Sequence, residues 1–264
     1  MENSKLIEMI KNNPNAIAYI DNPTDEMKLL AVKNNGLALK YIANPTRDME
    51  ESAIDNNARA IQFINTPTEA IMMKAINDGW INLEYIKKPT DKVIKFAINQ
   101  SGWAIKYVNN PSEELQLLAV RKNYDSIKYI KEPYESVQQE AVTISYDALR
   151  YIKSPSHNAE LIAIKNNERA IRLINDLDKK KMLEFLKVNI LAIKYIMKEI
   201  SKNELEQVLK EALANEAVEE KYVRDYLNSS AVSEIIPMDK IMFIYKYGSK
   251  KAKKIAVDEK LKLL

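Results

Sequence analysis

Eight residues spaced 22 apart carry most of the chemistry that the chain offers: Lys40, Gln62, Glu84, Lys106, Lys128, Arg150, Arg172 and Lys194. The five consecutive positions from Lys106 to Lys194 are all basic. Such a stripe suits a phosphate backbone or the acidic surface of a partner, and equally a solvated helix face. Each residue is followed by an aromatic or aliphatic one: Tyr41, Phe63, Tyr85, Tyr107, Tyr129, Tyr151, Leu173 and Tyr195, with Tyr19 one step earlier. Aromatics beside cations suit base stacking, one per step. A ring at the edge of a core with a wet hydroxyl is the alternative, and Phe63 and Leu173, which lack the hydroxyl, favour it.

Trp80, Trp103, Tyr124 and Tyr146 form a less regular set, at or beside a polar turn in four consecutive stretches. Other stretches carry Gly36, Ala58, Arg59 or Glu168 there. Aromatic side chains on a turn edge are typical anchors of protein interfaces. The expected partner-binding residues are therefore these four together with Lys106, Lys128, Arg150, Arg172 and Lys194. Leu29-Leu30, Leu117-Leu118 and Leu161-Ile162 add apolar residues that suit a partner face or the core. Lys246, Lys250, Lys251, Lys253 and Lys254 surround Gly248-Ser249 near a helix start, a weaker anion-binding signal.

What the chain lacks narrows the chemistry. Its 264 residues contain no Cys, one His (His157) and four Gly. That removes thiol nucleophiles, disulfides, histidine triads and glycine-rich phosphate loops. No pair of acids stands out with the spacing of general acid-base or metal chemistry. Forty basic residues against 37 acidic ones leave a formal charge of +3, too little for a globally basic nucleic-acid binder. Neither a signal-peptide pattern nor an apolar run of membrane-spanning length is present. The expectation is a cytoplasmic, non-enzymatic protein with no cofactor, no metal and no membrane partner.

The elements that carry these columns follow from the prolines. Pro23, Pro45, Pro67, Pro89, Pro111, Pro133 and Pro155 recur every 22 residues, and the register extends back to Met1 and forward through Lys198. A period of this length marks stacked supersecondary units. Each unit reads as two short helices. The first starts near Asn22-Pro23-Thr24, with Asn22 or Thr24 as its cap. It ends at Asn34-Asn35-Gly36, where Asn and Gly tolerate a left-handed conformation. The second helix, about two turns long, covers Ala38–Ile42 and is stopped by the next Pro. At 100° per residue, the small residue and the Ile four positions later share its buried face, flanked by Tyr and by the preceding Ile or Leu. No unit buries such a face alone. The expected fold is all-α, an α-solenoid with a right- or left-handed superhelix of about nine repeats over residues 1–198.

The segments Ala31-Val-Lys-Asn-Asn-Gly-Leu-Ala-Leu-Lys-Tyr-Ile42 and Ala97-Ile-Asn-Gln-Ser-Gly-Trp-Ala-Ile-Lys-Tyr-Val108 carry a resemblance. They resemble the repeat family catalogued as domain of unknown function four-one-one-six, over about residues 1–198. The resemblance implies a helical repeat found in bacterial, phage and large-virus proteins, with no common activity. Interference with a host or defence protein is the role that this setting suggests.

The register is lost near Glu199. Helical patterns over Ser201–Ala214, Val218–Leu227, Met238–Tyr247 and Ser249–Leu264 are expected to form a C-terminal cap spanning residues 199–264. The charge of this region is split. Residues 199–236 hold nine acids and four bases, and residues 237–264 hold eight Lys and three acids. The favoured function is an interaction scaffold or inhibitor whose partner is a protein. Binding of nucleic acid or a nucleotide along the basic column is the alternative.

Overall fold

Every 22-residue step from Asp25 to Leu173 folds as one α-helix followed by one 3-10 helix. The computed structural model describes the backbone of residues 2–261 and the side chains of residues 3–261, and all regular elements among them are helical. The protein is thus an all-α, solenoid-like repeat protein whose short helices pack against their neighbours. We number the repeats from one (1–22) to nine (177–198). The α-helices Asp25–Asn34, Arg47–Asn56, Glu69–Asp78, Asp91–Gln100 and Glu113–Lys122 keep the period without drift, and so do the next three, through Lys179–Val188.

Thr24 provides the cap that the sequence leaves open, its hydroxyl accepting the Met27 N–H at 3.3 Å. Thr46, Thr68, Thr90 and Ser112 do the same in their repeats. Each Pro therefore sits just outside its helix. Among the described residues, those with left-handed backbone are Asn22, Asn44 and Asn110, each immediately before one of these prolines. This corrects the expected left-handed turn at Asn34–Gly36. Asn35 is extended, and its side chain caps the second helix by accepting the Leu37 N–H at 3.1 Å.

The second helix also departs from expectation, being 3-10 rather than α in repeats one to eight. Only six residues lie between the Asn or Ser cap and the extended residue before the next turn. So short a segment does not repay an α-helical nucleus, whereas a 3-10 turn closes on three residues. The consequence is a 120° step, with residues i and i+3 eclipsed. In repeat two, Gly36, Leu39 and Ile42 form the buried row, and Leu37 and Lys40 form the outer row, half-buried and exposed respectively. Ala38 is buried while Tyr41, eclipsed with it, is exposed. Ala38 and Ile42 are both buried, as expected, but they reach the core from adjacent rows 120° apart rather than from one face.

By contact the chain divides into two compact units, Met1–Glu132 and Pro133–Leu264, so the division falls between repeats six and seven. In the first unit the core is an alanine-rich seam: Ala31, Ala53, Ala75, Ala97 and Ala119 are fully buried. Gly36 and Gly102 let the next repeat come closer still. A Cβ on either would lie 2.2 or 2.3 Å from the Ala53 or Ala119 carbonyl oxygen. Side-chain amides then tie neighbouring repeats together, as in Asn56 Oδ1 accepting the Gly36 N–H and Asn56 Nδ2 donating to the Lys33 carbonyl.

The second unit holds repeats seven to nine and the helices Lys202–Ala214, Glu220–Asn228, Ser230–Ile235, Lys240–Tyr247 and Lys250–Leu261. Ser230–Ile235 was not expected, and the last three residues of the expected terminal helix lie outside the described residues. Repeat nine ends differently, its 3-10 turn Ile190–Ala192 running into the α-helix Ile193–Ile196. The buried Tyr222 hydroxyl donates to the Leu186 carbonyl at 2.9 Å and pins the terminal helices to repeat nine. No helix among the described residues is long and apolar enough to cross a membrane.

Candidate interaction surface

The eclipsed geometry of the 3-10 helices decides which expected residues reach solvent together. The second and fifth residues of each such helix form its outer row, so Trp103 aligns with Lys106 and Asp125 with Lys128. In the first unit this row passes through Ile81 and Glu84, Trp103 and Lys106, then Asp125 and Lys128 in repeats four to six. Lys106 and Lys128 are exposed, as the sequence suggested.

Trp103 is 39% exposed, yet its orientation is fixed. Its indole Nε1 donates to Asp125 Oδ1 at 2.8 Å, and Lys128 Nζ donates to Asp125 Oδ2 at 2.7 Å. The same ammonium lies 5.4 Å from the Trp103 ring centroid and 5.1 Å from that of Tyr129, within cation-π range. Partial burial pushes the Asp125 carboxyl up, but the bonds from Lys128 and Trp103 outweigh it and hold the group below the usual carboxylate range. One repeat earlier, Lys106 Nζ sits 4.5 Å from the Tyr107 centroid, and the Tyr107 hydroxyl donates to Glu84 Oε2 at 3.2 Å. Contact with the Tyr107 hydroxyl, ahead of the opposing cost of desolvation, holds the Lys106 ammonium above its ordinary value.

The four turn aromatics do not form one set. Trp80, Tyr124 and Tyr146 occupy the first position of their 3-10 helices, on the inward row, and are half-buried. Trp80 packs beside Tyr107 with ring centroids 6.2 Å apart, so it spaces repeats four and five. Trp103 alone of the four stands on the outer row. The tyrosine column stands at the edge of the core rather than within it. Tyr19, Tyr41, Tyr129 and Tyr151 are exposed, while Phe63, Tyr85, Tyr107, Leu173 and Tyr195 are half-buried. The sixth position of each 3-10 helix turns back toward solvent just before the chain leaves the helix.

In the second unit the column is cationic but locally engaged. Arg150 Nε donates to Asp147 Oδ1 at 2.8 Å, and this carboxylate holds the guanidinium above its ordinary value. The Arg172 guanidinium lies 4.6 Å from the Tyr195 centroid, and Lys194 is exposed. The expected anion site is already capped. Ser249 Oγ accepts the Ala252 N–H and Glu216 Oε1 accepts the Lys250 N–H at the start of the terminal helix. Lys246 lies over Tyr247 and Lys253 over Tyr245, with Lys250, Lys251 and Lys254 exposed.

Leu29, Leu30, Leu117, Leu118, Leu161 and Ile162 are half-buried between core and surface. His157 is exposed, as expected, and its Nε2 lies 2.7 Å from Glu184 Oε2. Among the described residues no group of three or more His, Asp or Glu side chains converges as a metal site.

Asp125 is the residue that sequence reasoning missed. Its signal was the i,i+3 spacing to Lys128, repeated by Asp147 and Arg150, which pairs an acid with a base on either kind of helix. No family model, curated protein or solved structure matches this chain.

Proposed function

We propose that this is a non-enzymatic, cytoplasmic interaction scaffold or inhibitor that grips a partner protein on the outer row of repeats four to six. The observation that carries this reading is Trp103, a large aromatic side chain held in one orientation by Asp125 while much of it faces solvent. Ordering an anchor before binding removes part of the entropy cost of association, and Trp is among the strongest hot-spot residues. Ile81, also exposed, extends the apolar contact, and Lys106 and Lys128 supply its polar rim.

The alternative, nucleic-acid binding, draws less support from this face. Its two lysines are matched by two carboxylates, Glu84 and Asp125, and Lys128 is bonded to one of them. A phosphate backbone would meet little net charge there. A role against a host or defence protein rests on the resemblance to phage-borne repeats.

A tagged pull-down from lysate, with and without nuclease, tests the reading when run beside Trp103→Ala. The expected result is a stoichiometric protein that survives nuclease and is depleted about ten-fold or more by the substitution. A nuclease-sensitive catch, or one indifferent to Trp103, overturns it.

A further inference from the structure

In the second unit, two neighbouring helices expose four large apolar side chains. Met242 is 59% exposed and Tyr245 71% on one helix, with Val257 57% and Leu261 62% on the next. The two helices, Lys240–Tyr247 and Lys250–Leu261, are joined by Gly248-Ser249 and pack on each other. Lys253 Nζ approaches the Tyr245 ring to 5.7 Å, and Ile241 and Ala256 line one cavity, so the pair runs antiparallel. That brings Met242 level with Val257. The adjoining cavity, about 320 Å³, is bounded by Leu227 and Met238 and, on its polar side, by Asp239, Lys240, Glu259 and Lys260, and it has room for one large side chain.

The rim of this face is cationic. Lys246, Lys250, Lys251 and Lys254 are exposed, and none is held in an ion pair among the described residues. This contrasts with the Trp103 face, where the lysines meet carboxylates. A second copy of the same face is disfavoured as the occupant, because it would set lysine against lysine. The complementary surface is apolar along one stripe and acidic on either side.

We propose that the C-terminal helix pair docks an acidic amphipathic helix of a partner protein. Its apolar stripe lies on Met242, Tyr245 and Val257, one anchor enters the cavity, and its carboxylates meet the lysine rim. Docking at this helix pair does not depend on Trp103.

The test is selection from a display library of random 16-residue peptides against the full chain. The double variant Met242→Glu, Val257→Glu serves as counter-target. Both positions are more than half exposed, so the variant keeps its helical circular dichroism. The charge variant Lys250→Glu, Lys254→Glu supplies an independent second probe. Enriched peptides should carry apolar residues at i, i+3 or i+4, and i+7, with Asp or Glu elsewhere. Binding should fall roughly ten-fold or more in both variants and stay unchanged in Trp103→Ala. The proposal fails if nothing is enriched, if the enriched peptides are basic, or if they bind both variants as well as the parent. A dimer of the chain itself that is lost in the double variant also overturns it.

Discussion

The indole N–H of Trp103 donates to the carboxylate of Asp125 at 2.8 Å, joining residues one repeat apart. A single acid thereby orients an aromatic anchor and holds a lysine beside it.

Asp125→Ala should release both partners. Trp103 emission should shift to longer wavelength and acrylamide quenching should rise, while stability falls by less than about 1 kcal/mol because the group is partly exposed. Acid should mimic the substitution. The Asp125 carboxyl is held below its ordinary value of 3.8, so its contribution is complete above that pH. It is lost as the pH falls through the lowered native value. A fluorescence titration from pH 5 to pH 2, compared with Asp125→Asn, checks this.

The two tryptophans should part company. Trp80 is half-buried against Tyr107, and Trp80→Ala should cost about 2 kcal/mol of stability in urea denaturation. Trp103→Ala should cost less than about 1 kcal/mol, with its effect falling on partner binding. Equal destabilisation by both would place Trp103 in the core and remove it as an anchor.

Three glycines should respond in opposite directions. Gly36→Ala and Gly102→Ala press a methyl group against a backbone carbonyl, and each should lower stability by about 1–3 kcal/mol. At Gly79 a Cβ meets nothing nearer than 4.0 Å, and the backbone is extended. Gly79 is also the cap position that Asn35, Asn57 and Asn167 fill elsewhere. Gly79→Asn should therefore stabilise by about 0.5–1.5 kcal/mol, seen as a higher Tm.

Tyr222→Phe should cost about 1–3 kcal/mol, since it leaves the buried Leu186 carbonyl without its donor. Burial pushes the Tyr222 hydroxyl well above the ordinary phenol value of 10, so it stays protonated in the folded chain. Its stabilising contribution is present below that pH and is lost as the pH rises beyond it. Absorbance at 295 nm should show Tyr222 ionising only with unfolding.

The prolines made the repeat legible, because each forbids a helix from crossing it and their spacing never varies. The alanine seam was legible for a similar reason, as a small residue recurs wherever helices approach. The faces of the second helix were legible only in part. Asn35, Asn57 and Ser101 do close the preceding helices, but they also open a six-residue 3-10 segment. A 100° step places its turn aromatics on the wrong rows while leaving the buried Ala and Ile and the exposed Lys where expected. That one error merged Trp80 with Trp103, which sit on adjacent rows 120° apart. Asp125 escaped for another reason, since its partner Trp103 is a neighbour 22 residues away. The helix Ser230–Ile235 escaped because six residues between breaks carry no measurable periodicity.

The bonds that tie one repeat to the next within each unit join residues about one period apart, as with Gly102 and Asn123, Trp103 and Asp125, or Asn189 and Ile164. Chain length is therefore effectively quantised. Duplication or excision of a whole repeat returns every such pair to a partner in the same position. Gain or loss of one residue inside a 3-10 helix rotates the remainder of that helix by a third of a turn and carries the outer row into the core. Growth and shrinkage of such a protein proceed by repeats, and single-residue insertions are confined to the turns between them.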